Sequence, residues 1–353
     1  MSWSCGIVGL PNAGKSTLFK AITSLDVTIE SYPFSTIDPN KSVVPLPDRR
    51  LPALAELSCA DKITPATIEI TDVAGLVKGA SRGEGLGNQF LGHLRDVDLL
   101  IHVVGAYNRQ EENSKSIATK VETVNLELCL ADIEVVERRE DKLEPKAKSG
   151  DKNARAELNL LAKTLDYLNR GLMLSQVKFT EEEISFLANL SLLTRKKMIY
   201  VYNTGEDSPG NPDLSGIPEK YEAIPICVSL EAELAELPAE EKKVFLDAYG
   251  MQTSRIEELL ARCFILLDLA VFYTIKGSET RAWIVPSGIP AIKAAGKVHT
   301  DMEKGFINVE VVPWDVLLTA GSLARAREKG LCRTEGRNYP IEDGDVLIFR
   351  FRA

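Results

Sequence analysis

Short apolar runs alternate with segments of helical spacing through much of the first two hundred residues, and each run ends at a polar loop. Residues 5–8 are apolar and stop at Gly9; residues 15–25 then place Leu18, Ile22 and Leu25 on one helical face. Residues 66–70 read as a second strand, followed by glycine-rich sequence from Gly75 to Gly87. Residues 99–104 read as a third strand and residues 198–202 as a fourth. Strands separated by helices predict an α/β domain, with a parallel sheet and helices on both faces.

Between the third and fourth strands the texture changes. Residues 122–143 and 154–174 are charged and leucine-rich, with apolar positions at three- and four-residue steps. Residues 144–153 hold Pro145 and the pair Ser149-Gly150, a breaker and turn cluster. We read two long antiparallel helices projecting as an arm; the alternative is a solvated helical face packed on the domain. After a helix over residues 254–269 the pattern turns to short strands at 281–285, 307–312 and 346–351. Pro286-Ser287-Gly288 and Asp343-Gly344-Asp345 punctuate them, and one helix lies near 314–318. This reads as a compact α+β domain of its own. The expected division is 1–106 and 198–268 for the parallel-sheet domain, 107–197 for the helical insertion and 269–353 for the last domain.

Composition narrows the class without naming it. Hydrophobic residues make up 44% and charged residues 26% of 353, which excludes wholesale disorder. The net charge of −9 removes the general basic signature of a nucleic-acid binder, though not a local basic face. Cys5, Cys59, Cys129, Cys227, Cys263 and Cys332 form no CxxC pair, and His93, His102 and His299 are isolated, so no zinc-type spacing exists. Reduced thiols in a cytoplasmic protein are the expectation. The N-terminus lacks a basic n-region and a cleavage site. The most apolar stretch, 263–275, is short and interrupted by Asp268, so no membrane insertion is expected.

The chemistry concentrates in Gly9-Leu10-Pro11-Asn12-Ala13-Gly14-Lys15-Ser16, which has P-loop spacing and sits between a strand and a helix. Glycines there let backbone N–H groups converge on phosphate oxygens at a helix N-terminus. Lys15 supplies a charge to the β- and γ-phosphates, Ser16 a hydroxyl to Mg²⁺, and Thr17 can reach the α-phosphate. Asn12, Ala13 and Gly14 complete the cradle. Asp72-Val73-Ala74-Gly75 follows a strand, so Asp72 would reach Mg²⁺ through a water and the Gly75 N–H would sense the γ-phosphate. Between the two motifs, Ser35 and Thr36 both offer a hydroxyl to complete the Mg²⁺ shell, and Thr36 is taken as the ligand.

Residues 32–40 (Tyr-Pro-Phe-Ser-Thr-Ile-Asp-Pro-Asn) and 72–88 resemble the switch regions of the YchF or Obg-like ATPase family. Arg281-Ala282-Trp283, residues 294–301, Glu303-Lys304-Gly305-Phe306, residues 335–339 and Glu342-Asp343-Gly344-Asp345 are similar to the same family. The likeness covers nearly the whole chain. It implies a P-loop NTPase domain with a coiled-coil insertion and a C-terminal α+β β-grasp (TGS) domain, hydrolysis of ATP rather than GTP, and association with ribosomes, either the large subunit or the whole particle.

Guanine-reading enzymes of this class end a strand with Asn-Lys-x-Asp; here Asn203-Thr204-Gly205-Glu206 follows the fourth strand. Asn203 keeps an amide, Thr204 replaces the lysine that packs on the base, and Glu206 is a methylene too long for the two-pronged guanine contact. The family pattern makes Asn203, Thr204 and Glu206 the adenine site, with the Asn203 amide and the Thr204 backbone facing the base. A GTPase of the same fold is the alternative. Leu76 stands where Ras-like enzymes place a water-orienting Gln, which leaves the water positioner unknown and predicts slow turnover. It also keeps open a nucleotide-gated binding module with negligible turnover. Asn12 is a candidate K⁺ ligand, with bracing of the loop as the alternative, and His102 reads as a satisfied core histidine. Lys142, Lys146, Lys148 and Lys152 at the arm tip, with Lys297, Lys304, Arg325, Arg327 and Lys329 in the last domain, are the expected contacts to rRNA or tRNA.

Overall fold

Ser4–Val8 (β1) is buried along its whole length, which is what a strand covered on both faces requires. In the computed structural model it is the centre of a six-stranded sheet. The structure describes residues 3–24, 41–72, 86–106, 116–205, 222–248, 251 and 253–352. From β1 the chain enters Lys15–Thr23 (α1), returns as the edge strand Lys41–Pro45 (β2), and passes through Arg50–Leu57 (α2) and Lys62–Thr64 (β3) to Thr67–Asp72 (β4). Leu86–Arg95 (α3) leads into Leu99–Gly105 (β5).

The insertion is Ile117–Lys148 (α4), Lys152–Asn169 (α5) and the short Glu181–Ala188 (α6). Lys197–Asn203 (β6) and Ala223–Ile226 (β7) complete the sheet, and Val228–Glu236 (α7), Ala239–Ala248 (α8) and Arg255–Leu266 (α9) follow. The strand order is β2-β4-β1-β5-β6-β7. All neighbours are parallel except β2 against β4, where an antiparallel strand closes the edge.

Pro145 does not end α4. The helix continues to Lys148, and Ser149 N–H donates to the Pro145 carbonyl at 3.1 Å. Proline costs a helix the bond to the carbonyl four residues back. That residue is Asp141, which is exposed, so the freed carbonyl belongs to a solvent-facing residue. The turn therefore shrinks to 149–151, where Gly150 adopts φ 100° and Asp151 caps α5 by accepting from Asn153 and Ala154 N–H. Asp132, fully buried on α4, fastens the far end of the insertion. It accepts from Leu193 N–H (3.0 Å), Thr194 N–H and Oγ1 (both 2.8 Å) and Arg95 (3.0 Å).

Leu269–Lys276 (β8), Glu279–Pro286 (β9), Ala291–Val298 (α10), Thr300–Lys304 (α11), Phe306–Pro313 (β10), Trp314–Ala320 (α12), Leu323–Glu328 (α13), Arg333–Glu335 (β11) and Asp345–Phe351 (β12) form the C-terminal unit. Its sheet runs β11-β10-β12-β8-β9-β3. The last strand comes from the N-terminal segment, with Lys62, Ile63 and Thr64 aligned on Glu279, Thr280 and Arg281. The expectation of a domain closed on itself is corrected here. One face of this sheet packs α10 with Phe272, Phe306 and Val309. The other face, through Val271, Tyr273 and Val346, shares a continuous core with Leu51, Leu54, Leu259 and Leu260 of the first unit.

Polar contacts lock the same junction. Arg50 donates to Asp48 (2.8 Å) and to Asp343 (2.6 Å), while Asp343 also accepts from Val271 N–H (2.8 Å) and Tyr273 O–H donates to Asp48. Asp48 is nearly inaccessible, so removing the guanidinium leaves a desolvated carboxylate without its cation. Arg50→Ala should lower unfolding stability by about 2 kcal/mol, read as a shift of the urea midpoint. An unchanged midpoint would show that the apolar junction alone holds the two units.

Candidate nucleotide-binding site

Where β1 ends, the chain turns through residues 9–14 into α1, and two close approaches leave no room for a side chain. A Cβ on Gly9 would lie 2.4 Å from the Val103 carbonyl oxygen, and one on Gly14 2.2 Å from Asn203 Nδ2, with Gly14 also at φ 100°. Asn12, exposed, adopts φ 59°. The first intrahelical bond is Leu18 N–H to Gly14 O at 2.9 Å. The N–H groups of Lys15, Ser16 and Thr17 therefore precede the helical ladder and form the positive end of α1. The Ser16 and Thr17 side chains stand exposed in the same turn.

Lys15 is almost buried, and its ammonium donates to the Leu10 carbonyl at 2.9 Å. Burial lowers its pKa, and the negative charge of Asp72 opposes that shift. Asp72 closes β4, in register with Ile7 on β1, so the carboxylate lies one strand from the loop. Its Oδ1 is buried with no hydrogen-bond partner among the described residues. A desolvated carboxylate oxygen without a donor suits a hard cation or its water shell. Ser16 and Asp72 are thus oxygen donors of the kind Mg²⁺ takes. No cluster of three or more His, Cys, Asp or Glu side chains able to hold a metal exists among the described residues. Thr36, Gly75, Leu76 and Glu206 lie outside the described residues.

Asn203 ends β6 and is buried. Its Nδ2 donates to the Ala13 carbonyl at 3.0 Å, and its Oδ1 accepts from Val228 N–H at 3.2 Å. The amide thus ties the loop, the sheet and the start of α7 together. One N–H and one lone pair remain for a base edge. Thr204 departs from expectation. Its backbone N–H donates to Ile226 O at 2.9 Å, because the β6–β7 ladder extends one residue past Asn203. That N–H is spent on β7 and is not open to adenine N1. The Thr204 hydroxyl is buried and has no hydrogen-bond partner among the described residues. Sequence reasoning missed the Ala13 and Val228 partners of Asn203, which lie 190 and 25 residues away along the chain.

His102, in register with Val8, is fully buried, and its ring lies 5.0 Å from Tyr200. Burial, with the positive charge of Lys15 adding to it, pushes its pKa down to about 3. The sequence suggested a satisfied core histidine; the ring is in the core, but its Nδ1 is buried without a hydrogen-bond partner among the described residues. The basic positions expected to contact RNA are less uniform. Lys148 pairs with Glu144 at 2.7 Å, and Arg327 makes a bidentate pair with Glu310 at 2.7 Å on both arms. At the arm tip Lys142 and Lys146 share one face of α4, with Asp141 and Glu144 on the neighbouring face.

Residues 4–136 match a family model described as a 50S ribosome-binding GTPase, and residues 269–352 match the YchF-GTPase C-terminal model, described as a protein of unknown function. Over its full length the chain is 44% identical to a protein of Bacillus subtilis (strain 168) and 41% identical to one of Escherichia coli O157:H7. Both are named ribosome-binding ATPase YchF, and both are covered completely. A solved structure titled as the Schizosaccharomyces pombe YchF GTPase superposes with a TM-score of 0.87 at 30% identity, over 99% of this chain and 98% of that one.

Two measurements follow from this geometry. Since the Asn203 amide braces the phosphate loop, Asn203→Ala should weaken ATP, GTP and inorganic tripolyphosphate alike, by about tenfold. Retained tripolyphosphate affinity, by calorimetry, would confine Asn203 to the base. Secondly, between pH 6.5 and about 3 the unfolded chain binds a proton at His102 that the folded chain excludes. Stability should therefore fall as pH drops through that window, by up to about 1.4 kcal/mol per pH unit. Urea titrations of His102→Leu at pH 7 and pH 5 should show a smaller acid loss than the unaltered chain; equal losses would assign the acid sensitivity to other groups.

Proposed function

The chain belongs to the YchF family, and on that premise we propose that it is a Mg²⁺-dependent, ATP-hydrolysing switch protein that binds the ribosome. The observation that carries this reading is the arrangement at the top of the sheet. A glycine-shaped loop whose helix-terminal N–H groups precede the helical ladder, together with a buried lysine, faces a carboxylate whose Oδ1 has no hydrogen donor among the described residues, and a base-side strand end closes the site. In this reading Asn12 to Thr17 hold the phosphates. Ser16, Thr36 and, through water, Asp72 hold Mg²⁺, which when bound supplies charge neutralisation between phosphate oxygens. Lys15 leaves the Leu10 carbonyl for the β- and γ-phosphates. Leu76 offers no hydrogen bond to an attacking water, so turnover without the ribosome is slow.

The names of the relatives divide between ATPase and GTPase, and the strand end at Asn203 favours the former. In Asn203-Thr204-Gly205-Glu206 the base-packing lysine is absent and the acid is longer than aspartate. Thr204 instead presents a buried hydroxyl that can donate or accept. Guanine would bring two donors, N1–H and the 2-amino group, against a displaced Glu206. Adenine has no 2-amino group, and the Asn203 amide keeps one N–H and one acceptor site for it.

Competition of ATP and GTP for one fluorescent nucleotide tests the assignment. Poorly paired guanine donors cost about 1–3 kcal/mol, so ATP should bind about five- to a hundredfold more tightly. Thr204→Lys combined with Glu206→Asp should move the preference toward GTP. Equal affinities in the unaltered chain, or a preference for GTP, would leave the GTPase reading in its place. Binding of ATP with no hydrolysis, with or without ribosomes, would make the protein a nucleotide-gated binding module.

A further inference from the structure

The helix α8 carries an apolar stripe that enters none of the molecule's cores. Leu237, Val244 and Ala248 recur at helical steps, with Glu240, Glu241 and Phe245 beside them, and these six residues line an open groove of ≈ 590 Å³. A stripe of that period on a globular protein ordinarily faces a core. Here Leu237, Val244, Phe245 and Leu246 belong to none of the three apolar clusters formed by the described residues. Val244 is 70% exposed, and Ala248 is exposed with it. The nucleotide site draws on Val228, at the far end of α7, and leaves this groove unused.

The charges around the stripe are sorted. Pro238 O accepts the Lys242 N–H at 2.9 Å as α8 begins, and the Lys242 ammonium lies 3.6 Å from Glu257 of α9. Lys242 is thus drawn toward α9, away from the groove. Glu240 and Glu241 line the groove, are exposed, and form no ion pair among the described residues. Two acids in the first turn suit the positive end of a helix. That accounts for the carboxylates and leaves the apolar residues beside them without a structural purpose.

We propose that this groove docks a partner protein through an amphipathic helix, with leucine- or phenylalanine-type side chains on one face and lysines or arginines flanking them. Exposed apolar surface rimmed by polar groups marks interaction sites, and a helix laid in an apolar groove is a recurrent mode of recognition. α8 has ten residues, about 15 Å of helix, which matches two or three anchor side chains at three- and four-residue steps. The sign of the charge selects among such helices. Cations beside the anchors meet Glu240 and Glu241, whereas an acidic helix or a nucleic-acid backbone would bring negative charge against them.

The test uses the full chain and a fluorescein-labelled, 18-residue helical peptide with leucines along one face and lysines elsewhere, followed by anisotropy. A peptide of the same composition with the apolar face scrambled, and one with glutamate for every lysine, are the controls. The basic amphipathic peptide should bind, and both controls should bind at least tenfold more weakly. Val244→Asp should lower its affinity about tenfold by removing an anchor contact, although the substitution makes the chain more acidic. Glu240→Gln with Glu241→Gln should lower it about fivefold and flatten its salt dependence. Unchanged ATP hydrolysis and an unchanged urea midpoint show that these variants fold. If Val244→Asp fails to fold, Val244→Ser, expected to weaken binding about threefold, takes its place. Binding that Val244→Asp leaves equal or strengthens would be attraction to the net charge of −9 alone and overturns the proposal. So does equal binding of the scrambled peptide. Val244-dependent self-association in sedimentation velocity would give the groove to a second copy, and Val244-dependent flotation with phosphatidylcholine vesicles would give it to lipid; either result also overturns it.

Discussion

A phosphate loop needs N–H groups pointing at one spot with no partners of their own, and such a loop has to be held from outside. In this chain the holding contact is the Asn203 amide on the Ala13 carbonyl, 3.0 Å long, with Gly14 packed against the same side chain. Asn203 can make it only because β6 sits beside β5 in a fixed parallel register, residue 105 against residue 203. β5 in turn aligns His102 with Val8, the last residue before the loop. Two ladders, β1–β5 and β5–β6, therefore set the distance from loop to amide. The Val228 N–H on Oδ1 removes the remaining freedom of the side chain. A ligand site at the carboxyl ends of parallel strands is the general solution of such sheets; here one amide couples its phosphate side to its base side.

The carboxylate side is built differently. Asp72 ends a segment that begins at β2, and between them lie Asp48, Arg50, α2 and β3, the elements that join the C-terminal unit. Joining two sheets through one apolar cluster makes the last unit part of the same core rather than a tethered bead. Separate domains ordinarily meet through smaller and more polar surfaces. The price appears in polar groups: Asp48 is nearly inaccessible and survives there because Arg50 and Tyr273 both donate to it.

What the sequence disclosed followed the range of the interaction. The strand–loop–helix at residues 4–23 is local, its glycines and apolar spacing adjacent in the chain, and it was legible. So were the parallel strands β1, β4, β5 and β6 and the long pair α4 and α5, but not β7, four residues that include Pro225. Propensity marks Pro145 as a breaker by weighing the lost N–H, whereas the carbonyl it orphans is at an exposed tip where the loss is small. β3 went unread: three residues with an exposed Ile63 carry no periodicity, and only their partner on β9 makes them a strand. The Thr204 N–H was expected to face a base, and the end of a ladder decided otherwise. Partners far apart in sequence leave no trace in spacing, and that is where the reading of the candidate site stopped.

Net charge misleads in the same manner. A total of −9 speaks against a general affinity for polyanions, yet what a polyanion meets is the local balance after ion pairs are counted. Pairing redistributes it. Arg327 and Lys148 are neutralised by neighbours, and Arg50 is enclosed between two aspartates, so three cations that sequence counts equally offer little to a ligand. Lys276, Lys304 and Arg352 form no ion pair among the described residues; beside them Glu279 is held by Thr64 and Lys62, while Asp301 keeps an exposed carboxylate. The strand that supplies both groups on Glu279 is β3, from the N-terminal segment of the chain. Thus the same pairing that fuses the C-terminal sheet to the first unit, Lys62 and Thr64 against Glu279, also offsets a carboxylate that is aligned with Lys276. The charge balance at that end of β8 and β9 is a consequence of how the two sheets are joined.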